Sequence, residues 1–293
     1  MRKKIESKFD FSTVKKIKDI FIEKEWERFE EFDYFFDNFC LITEQLDEPQ
    51  TNLLLELTKD FLWLRQNEYF SHLKKALLQL GDYEYLNLKT VYVIPMLSMS
   101  DRKKNKTKSS GLVAYSCQDT MLKYTDLFKN TKFIIIDDLK YLPKKSKLDV
   151  NNNPIILVDD YIGTGDTAIE SLEEILELKN YSNKSLFLVS LVAQLTGKKN
   201  INDRGFELLS SIYRNKGISD NYEGEKQVEL KRIMVSIEDL LIQDPRFDKK
   251  YNFGYKSSES LVSMIRTPNN TFPLYWFNAD LKEGDKWKAP FPR

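Results

Sequence analysis

The chain has two adjacent carboxylates, Asp159 and Asp160, followed by Gly163, Thr164, Gly165, Asp166 and Thr167, all within NPIILVDDYIGTGDT from Asn153 to Thr167. Paired carboxylates at a strand end can orient hydroxyls and stabilise developing positive charge. The glycines permit positive φ and close approach of backbone to a ligand, and the threonines add hydroxyls to the exposed amide groups. Such a loop is shaped for an anion. A second set of charges, Arg102, Lys103, Lys104, Lys106 and Lys108 after Asp101, would suit an anionic group leaving a reaction centre, or would form a solvated lysine-rich loop.

The elements that must position these residues are legible on either side. Ile155, Ile156, Leu157 and Val158 form an unbroken aliphatic run, which predicts a strand covered on both faces, as in a parallel sheet. Asp159 and Asp160 are expected where that strand leaves the core, the edge at which open α/β sheets bind ligands. From Thr167 the spacing of Ala168, Leu172, Ile175, Leu176 and Leu178 predicts a helix, with Thr167 and Glu170 fitting a capping box. Its dipole would point its positive end at the loop, worth about 0.3–1 kcal/mol per exposed anionic group.

Apolar strand, acid pair and Thr-Gly-x-Thr in that order resemble the 5-phosphoribosyl-1-pyrophosphate (PRPP) motif of type I phosphoribosyltransferases. The resemblance implies that Asp159 and Asp160 lie by the ribose hydroxyls and meet Mg²⁺ only indirectly, through those hydroxyls or water. It implies that Gly163, Thr164, Gly165, Asp166 and Thr167 hold the 5'-phosphate, and that Arg102, Lys103 and Lys104 draw off pyrophosphate. The implied fold is α/β, a parallel-sheet type I phosphoribosyltransferase-like core over residues 89–293, behind an N-terminal α-helical domain over residues 1–88.

Further strands are expected at Val91–Pro95, Lys132–Leu139 and Ser185–Gln194, and residues 111–129 read as a short strand followed by a helix. The second of these strands ends in Asp137 and Asp138, a candidate second wall of the site. Strands alternating with helices imply parallel βαβ units.

The chain's 293 residues suggest about two domains. Its 41% hydrophobic and 31% charged residues describe neither a disordered nor a membrane protein, and no stretch approaches the length of a membrane span. With 45 basic and 45 acidic residues the formal charge is zero, so nucleic-acid binding would have to rest on a local patch. Two cysteines, Cys40 and Cys117, and one histidine, His72, exclude a Cys/His zinc cluster and a disulfide framework and point to a reducing, cytoplasmic setting.

In the amino-terminal third, Phe21, Ile22, Trp26, Phe29, Phe32, Phe36 and Phe39 recur at helical spacing, and Leu53 to Leu80 continues in a second long helical pattern, with Pro49 and Gly81 as breakers. Toward the carboxyl end, Val228–Ile242 reads as a helix covering a sheet face. Residues 251–277 read as a Ser-capped short helix and a proline-ordered loop. There Arg266, Asn269 and Asn270 offer bonds to a base or phosphate, and Tyr275 and Trp276 either stack on that ligand or pack onto the core.

Taken with the helical front, the chain resembles the phosphoribosyltransferase-like effector proteins of bacterial anti-phage conflict systems, including some retrons. That resemblance implies a transferase, or toxin, of antiviral defence that uses PRPP and Mg²⁺ on a nucleotide, base or macromolecular acceptor. It also implies a reverse transcriptase, non-coding nucleic acid or DNA-binding subunit as partner through residues 1–88. The alternative is a non-catalytic PRPP- or nucleotide-binding subunit.

Overall fold

The computed structural model describes residues 11–97, 108–137, 139–141, 153–179 and 183–293. The chain opens with helices α1 (Phe11–Glu23), α2 (Phe32–Thr43) and α3 (Glu48–Lys59) and a two-residue strand, β1 (Leu62–Trp63). There follow α4 (Tyr69–Leu78), β2 (Thr90–Pro95), α5 (Ser109–Ser116), β3 (Lys132–Ile135), β4 (Ile155–Ile162), α6 (Asp166–Lys179), β5 (Leu186–Gln194), α7 (Leu195–Asn202) and β6 (Glu207–Arg214). The chain closes with α8 (Gly224–Leu241) and three short strands, β7 (Val262–Ser263), β8 (Ala279–Asp280) and β9 (Lys286–Trp287).

Two compact units result. Met1–Trp63 joins Lys216–Arg293 in the first, and Leu64–Asn215 forms the second. This differs from a division at residue 88. The helical pattern from Leu53 to Leu80 breaks into α3 and α4, separated by β1, and α4 packs on β5 and β6 of the second unit. Periodicity shows that a helix has an apolar face but not which surface covers it. The same reason accounts for α8, which packs on α3 rather than on a sheet, with Gln50 Nε2 donating to Ser236 Oγ at 2.9 Å.

In the first unit the aromatic stripe is core. Phe21 meets Trp26, Phe32, Phe36 and Phe39 edge to face at centroid distances of 5.1–5.8 Å, and Phe61 stacks on Phe291 at 4.7 Å. Such pairs add about 0.5–1.5 kcal/mol each beyond their buried area. Pro49 begins α3 rather than breaking it: Asp47 and Gln50 complete a capping box around the first turn, where the proline's missing N–H removes nothing.

The second unit is a five-stranded sheet in the order β3-β2-β4-β5-β6, parallel throughout. Every residue of β5 is buried, as the apolar run predicts. Ala168, Leu172 and Ile175 of α6 pack in one cluster with Ile155 and Leu157 of β4. Residues 111–129 contain no strand; α5 and a 3₁₀ turn at Thr120–Tyr124 occupy them. β6 and α7 had no expectation attached, because ELLSSIYR alternates only weakly and LTGKKNIN carries few apolar residues. β2 pairs with β4 only as far as Pro95 opposite Val158, whereas β5 accompanies β4 to Ile162. The last half of β4 therefore protrudes past β2, and it carries Asp159 and Asp160.

Glu238 of α8 is fully buried in the first unit. Its Oε1 accepts the Phe253 N–H at 2.7 Å, while Oε2 has no partner. Burial, with smaller contributions from Asp239 and Glu259, pushes its pKa from the ordinary 4.5 up to about 8. The neutral acid folds at less cost than the carboxylate, so stability falls as pH rises from the unfolded-state value toward 8, by up to about 5 kcal/mol. Glu238→Gln should remove that fall: melting curves from pH 4 to pH 9 are expected to show the variant gaining on the wild type as pH rises, with no advantage near pH 4.

Candidate active site at the C-terminal edge of the sheet

The acid pair lies within β4 rather than beyond its end. Asp160 is buried, and both its oxygens accept hydrogen bonds: Oδ2 from the Tyr69 hydroxyl at 3.0 Å and Oδ1 from the Ser109 hydroxyl at 2.8 Å. Tyr69 is the first residue of α4 and Ser109 the first of α5. Asp159 is half-buried, and its Oδ1 accepts the Asp160 N–H at 2.9 Å. Burial and then the adjacent Asp160 charge raise the Asp159 pKa well above the usual carboxylate range, with the Lys108 ammonium pulling the other way. A carboxylate in this state responds strongly to any cation or hydroxyl brought to it.

The loop after β4 is held from behind by α7. Gly165 has φ +86°, a conformation that side chains disfavour. A Cβ on Gly197 would sit 2.2 Å from the Gly163 carbonyl oxygen, so only glycine permits this approach. Asn200 Nδ2 donates to the Thr164 carbonyl at 2.9 Å, and the Thr164 hydroxyl donates to the Asp166 carboxylate. α6 begins at Asp166, so Thr167 lies in its first turn instead of capping it, and the Gly165 carbonyl accepts from the Ile169 N–H at 2.9 Å. Ser171 ties that turn to the segment after β2 through the Leu97 carbonyl at 3.2 Å.

The structure thus brings together Asp159, Asp160, Gly163, Thr164, Gly165, Asp166 and Thr167 along one strand-loop-helix passage. Arg102, Lys103 and Lys104 lie outside the described residues, as does Asp138; of the basic run, Lys108 is described and acts on Asp159. Asp137 is exposed after β3, and β3 is separated from β4 by β2. The aromatics of residues 266–277 pack inward in the first unit: Tyr275 is buried with its hydroxyl 3.0 Å from Thr58 Oγ1, and Trp276 Nε1 donates to the Thr271 carbonyl at 2.7 Å. No α-helix forms at Ser257–Ser258, where 3₁₀ and left-handed turns stand instead. His72 Nδ1 bonds Ser211 Oγ at 2.8 Å, and both cysteines are free and buried.

Sequence reasoning missed Tyr69, Ser109, Gly197 and Asn200. Gly197 had a visible signal, a glycine three residues after a long apolar strand; Tyr69 had none, being 91 residues from its partner.

Comparison with known proteins shows the family of the chain. The family model described as PRTase-CE matches residues 43–293. The chain belongs to the PRTase-CE family. It is thus a phosphoribosyltransferase-like protein, in which VDDYIGTGDT is the segment resembling a PRPP motif. Among solved structures, it is similar to hypoxanthine-guanine phosphoribosyltransferase from Schistosoma mansoni in complex with IMP, at 15% identity and a TM-score of 0.31, over 53% of this chain and 67% of that one. No curated protein matches the chain. Among the described residues, no helix is long and apolar enough to cross a membrane.

Alanine in a helix is ordinarily more stable than glycine by about 0.5–1 kcal/mol. Gly197→Ala should reverse that sign, lowering the melting temperature by several degrees, because its methyl group drives into the Gly163 carbonyl. Tyr69→Phe should cost about 1–3 kcal/mol by removing a donor from a buried carboxylate, read from urea denaturation.

Proposed function

We propose that this protein is a phosphoribosyltransferase-type enzyme that binds PRPP at the end of β4. The observation that carries the proposal is the acid pair on the protruding half of β4, running directly into a glycine-threonine loop at the start of α6. The acceptor would be a nucleotide, base or macromolecule, and the antiviral setting, including retrons, is part of the proposal by sequence resemblance alone.

The two carboxylates take different parts. Asp160, bonded to Tyr69 and Ser109, fixes the strand end and the N–H that bonds Asp159. Asp159 is the carboxylate left to meet the ligand: it would orient the ribose hydroxyls and stabilise positive character at C1 as the bond to pyrophosphate breaks. The loop from Gly163 to Thr167 would hold the 5'-phosphate, a remote handle whose binding energy positions the reacting carbon. No side chain of the passage is assigned as general base, so the proton of the acceptor nitrogen or water would pass to solvent or to the departing pyrophosphate.

Mg²⁺ is commonly held by one or two carboxylates together with substrate phosphates and water, not by an all-protein cage. The site fits that mode. Among the described residues no group of three or more His, Cys, Asp or Glu side chains could hold a metal alone, and Asp159 beside Asp160 would meet the ion through water or ribose hydroxyls. When bound, the ion supplies charge neutralisation on the pyrophosphate.

The division of roles is testable. Asp159→Asn is expected to raise the melting temperature near neutral pH, because it removes a carboxyl whose ionisation burial and Asp160 oppose, while lowering Mg²⁺-dependent pyrophosphate release from PRPP by about 100-fold or more, the scale of losing a charge aimed at the reacting centre. Asp160→Asn is expected to lose about 1–3 kcal/mol of stability, because one of its two donors then faces an amide nitrogen. Wild-type protein that neither releases pyrophosphate nor is stabilised by PRPP, across a panel of bases and nucleotides, would refute the assignment.

A further inference from the structure

The first unit carries a surface to which the phosphoribosyl reading gives no role. Tyr251 lies between the Tyr255 ring, 6.4 Å away, and the buried Trp276 ring, 5.5 Å away, in successive contacts. Each ring has a cation over it: Lys256 at 5.9 Å from Tyr255, Lys250 at 4.9 Å from Tyr251, and Arg293 at 5.9 Å from Trp276. Arg266 lies close enough to Arg293 that, with burial as the larger cause, it lowers that guanidinium's pKa. Asp248 pairs with Lys250 at 2.6 Å. Among the described residues neither Arg266 nor Arg293 forms an ion pair.

The backbone that presents these side chains is strained. Phe253, Lys256, Ser257 and Glu259 adopt φ of 56°, 54°, 52° and 49°, around Gly254 at 77°. Four non-glycine residues in the left-handed region within seven positions persist only when their surroundings over-determine them. The surroundings here do so. A Cβ on Gly254 would lie 1.9 Å from the Asn270 carbonyl oxygen. The Tyr255 N–H donates to the Asn269 carbonyl at 2.8 Å and Ser258 Oγ to the Asn270 carbonyl at 2.7 Å. The buried Glu259 carboxylate accepts the Ile218 and Ser219 N–H groups at 2.9 Å and 2.7 Å. Strain of this kind concentrates where a side chain must be aimed, and the residue aimed outward is Lys256, which is exposed.

We propose that this surface binds single-stranded nucleic acid, with Lys256, Arg266 and Arg293 on the phosphates and the half-buried rings of Tyr251 and Tyr255 beside the bases. Lys256, Lys250 and Arg293 each stand over a different ring, and cations divided among several rings suit a repeating anion better than a single phosphate. Rings that brace the cations reduce the freedom lost on binding, and interleaved aromatic and basic side chains are the usual means of tracking a strand without reading its sequence. The neutral overall charge of the chain makes the patch a local feature rather than a share of a general excess.

The test is fluorescence anisotropy of the full chain with a labelled oligothymidylate of about 20 nucleotides, titrated at several salt concentrations. Saturable binding is expected, with log affinity falling linearly against log salt. Arg266→Glu should weaken it by about tenfold or more. Lys256→Gly should weaken it as well and at the same time raise the melting temperature, because glycine accepts a left-handed φ without strain. A residue of purely structural importance would not move stability and binding in opposite directions. Absence of saturable binding at low salt, equal binding by both variants, or capture of a multiply phosphorylated peptide in place of the oligonucleotide would overturn the proposal.

Discussion

Two neighbouring carboxylates in a strand whose neighbours are buried are the constraint on which the second unit turns. Burial, and then the charge of its neighbour, raises the cost of ionising Asp159. The structure offsets this unevenly. Asp160 receives hydroxyl donors from the first residues of two helices, whereas Asp159 receives one backbone N–H and the field of Lys108. The unevenness converts a sequence of two identical residues into a fixed strut and a responsive group.

The remaining geometry follows from where the sheet stops. Because β2 ends opposite Val158 while β5 continues, the last residues of β4 run past β2 and are met by α5, whose Ser109 bonds Asp160, and the loop leaving the strand turns at once into α6. The turn is made by Gly165 at positive φ and is backed by α7, whose Gly197 lets helix and loop backbones approach without a side chain between them. This contact holds the backbone groups of the loop in place, as the phosphate-binding role proposed for it requires.

In the first unit, aromatic packing does the equivalent work. Phe61, Tyr275 and Phe291 bring β1, the carboxyl-terminal 3₁₀ turns and the chain's last residues around one cluster, and the parallel pair of Leu62 with Val262 joins segments 200 positions apart along the chain. A core of that rigidity can hold several left-handed residues in the 253–259 segment that would relax if the loop were free.

The sequence by itself determined the strand at Ile155–Val158, the helix that follows, the largely apolar β5 and the strand-acid-loop-helix order of the site, because these are local patterns of burial and backbone freedom within about 25 residues. It showed the aromatic stripe at helical spacing, which the structure resolves as core. Tertiary structure alone decided that Asp159 and Asp160 differ, that Pro49 opens a helix already capped by Asp47, that α8 covers α3, and that the compact units break after Trp63 and Asn215. It alone brought Tyr69 to Asp160 and Gly197 to Gly163. Those outcomes depend on which apolar face meets which partner across long stretches of chain, and an apolar face is satisfied equally well, as far as its own residues can say, by any surface of the right shape.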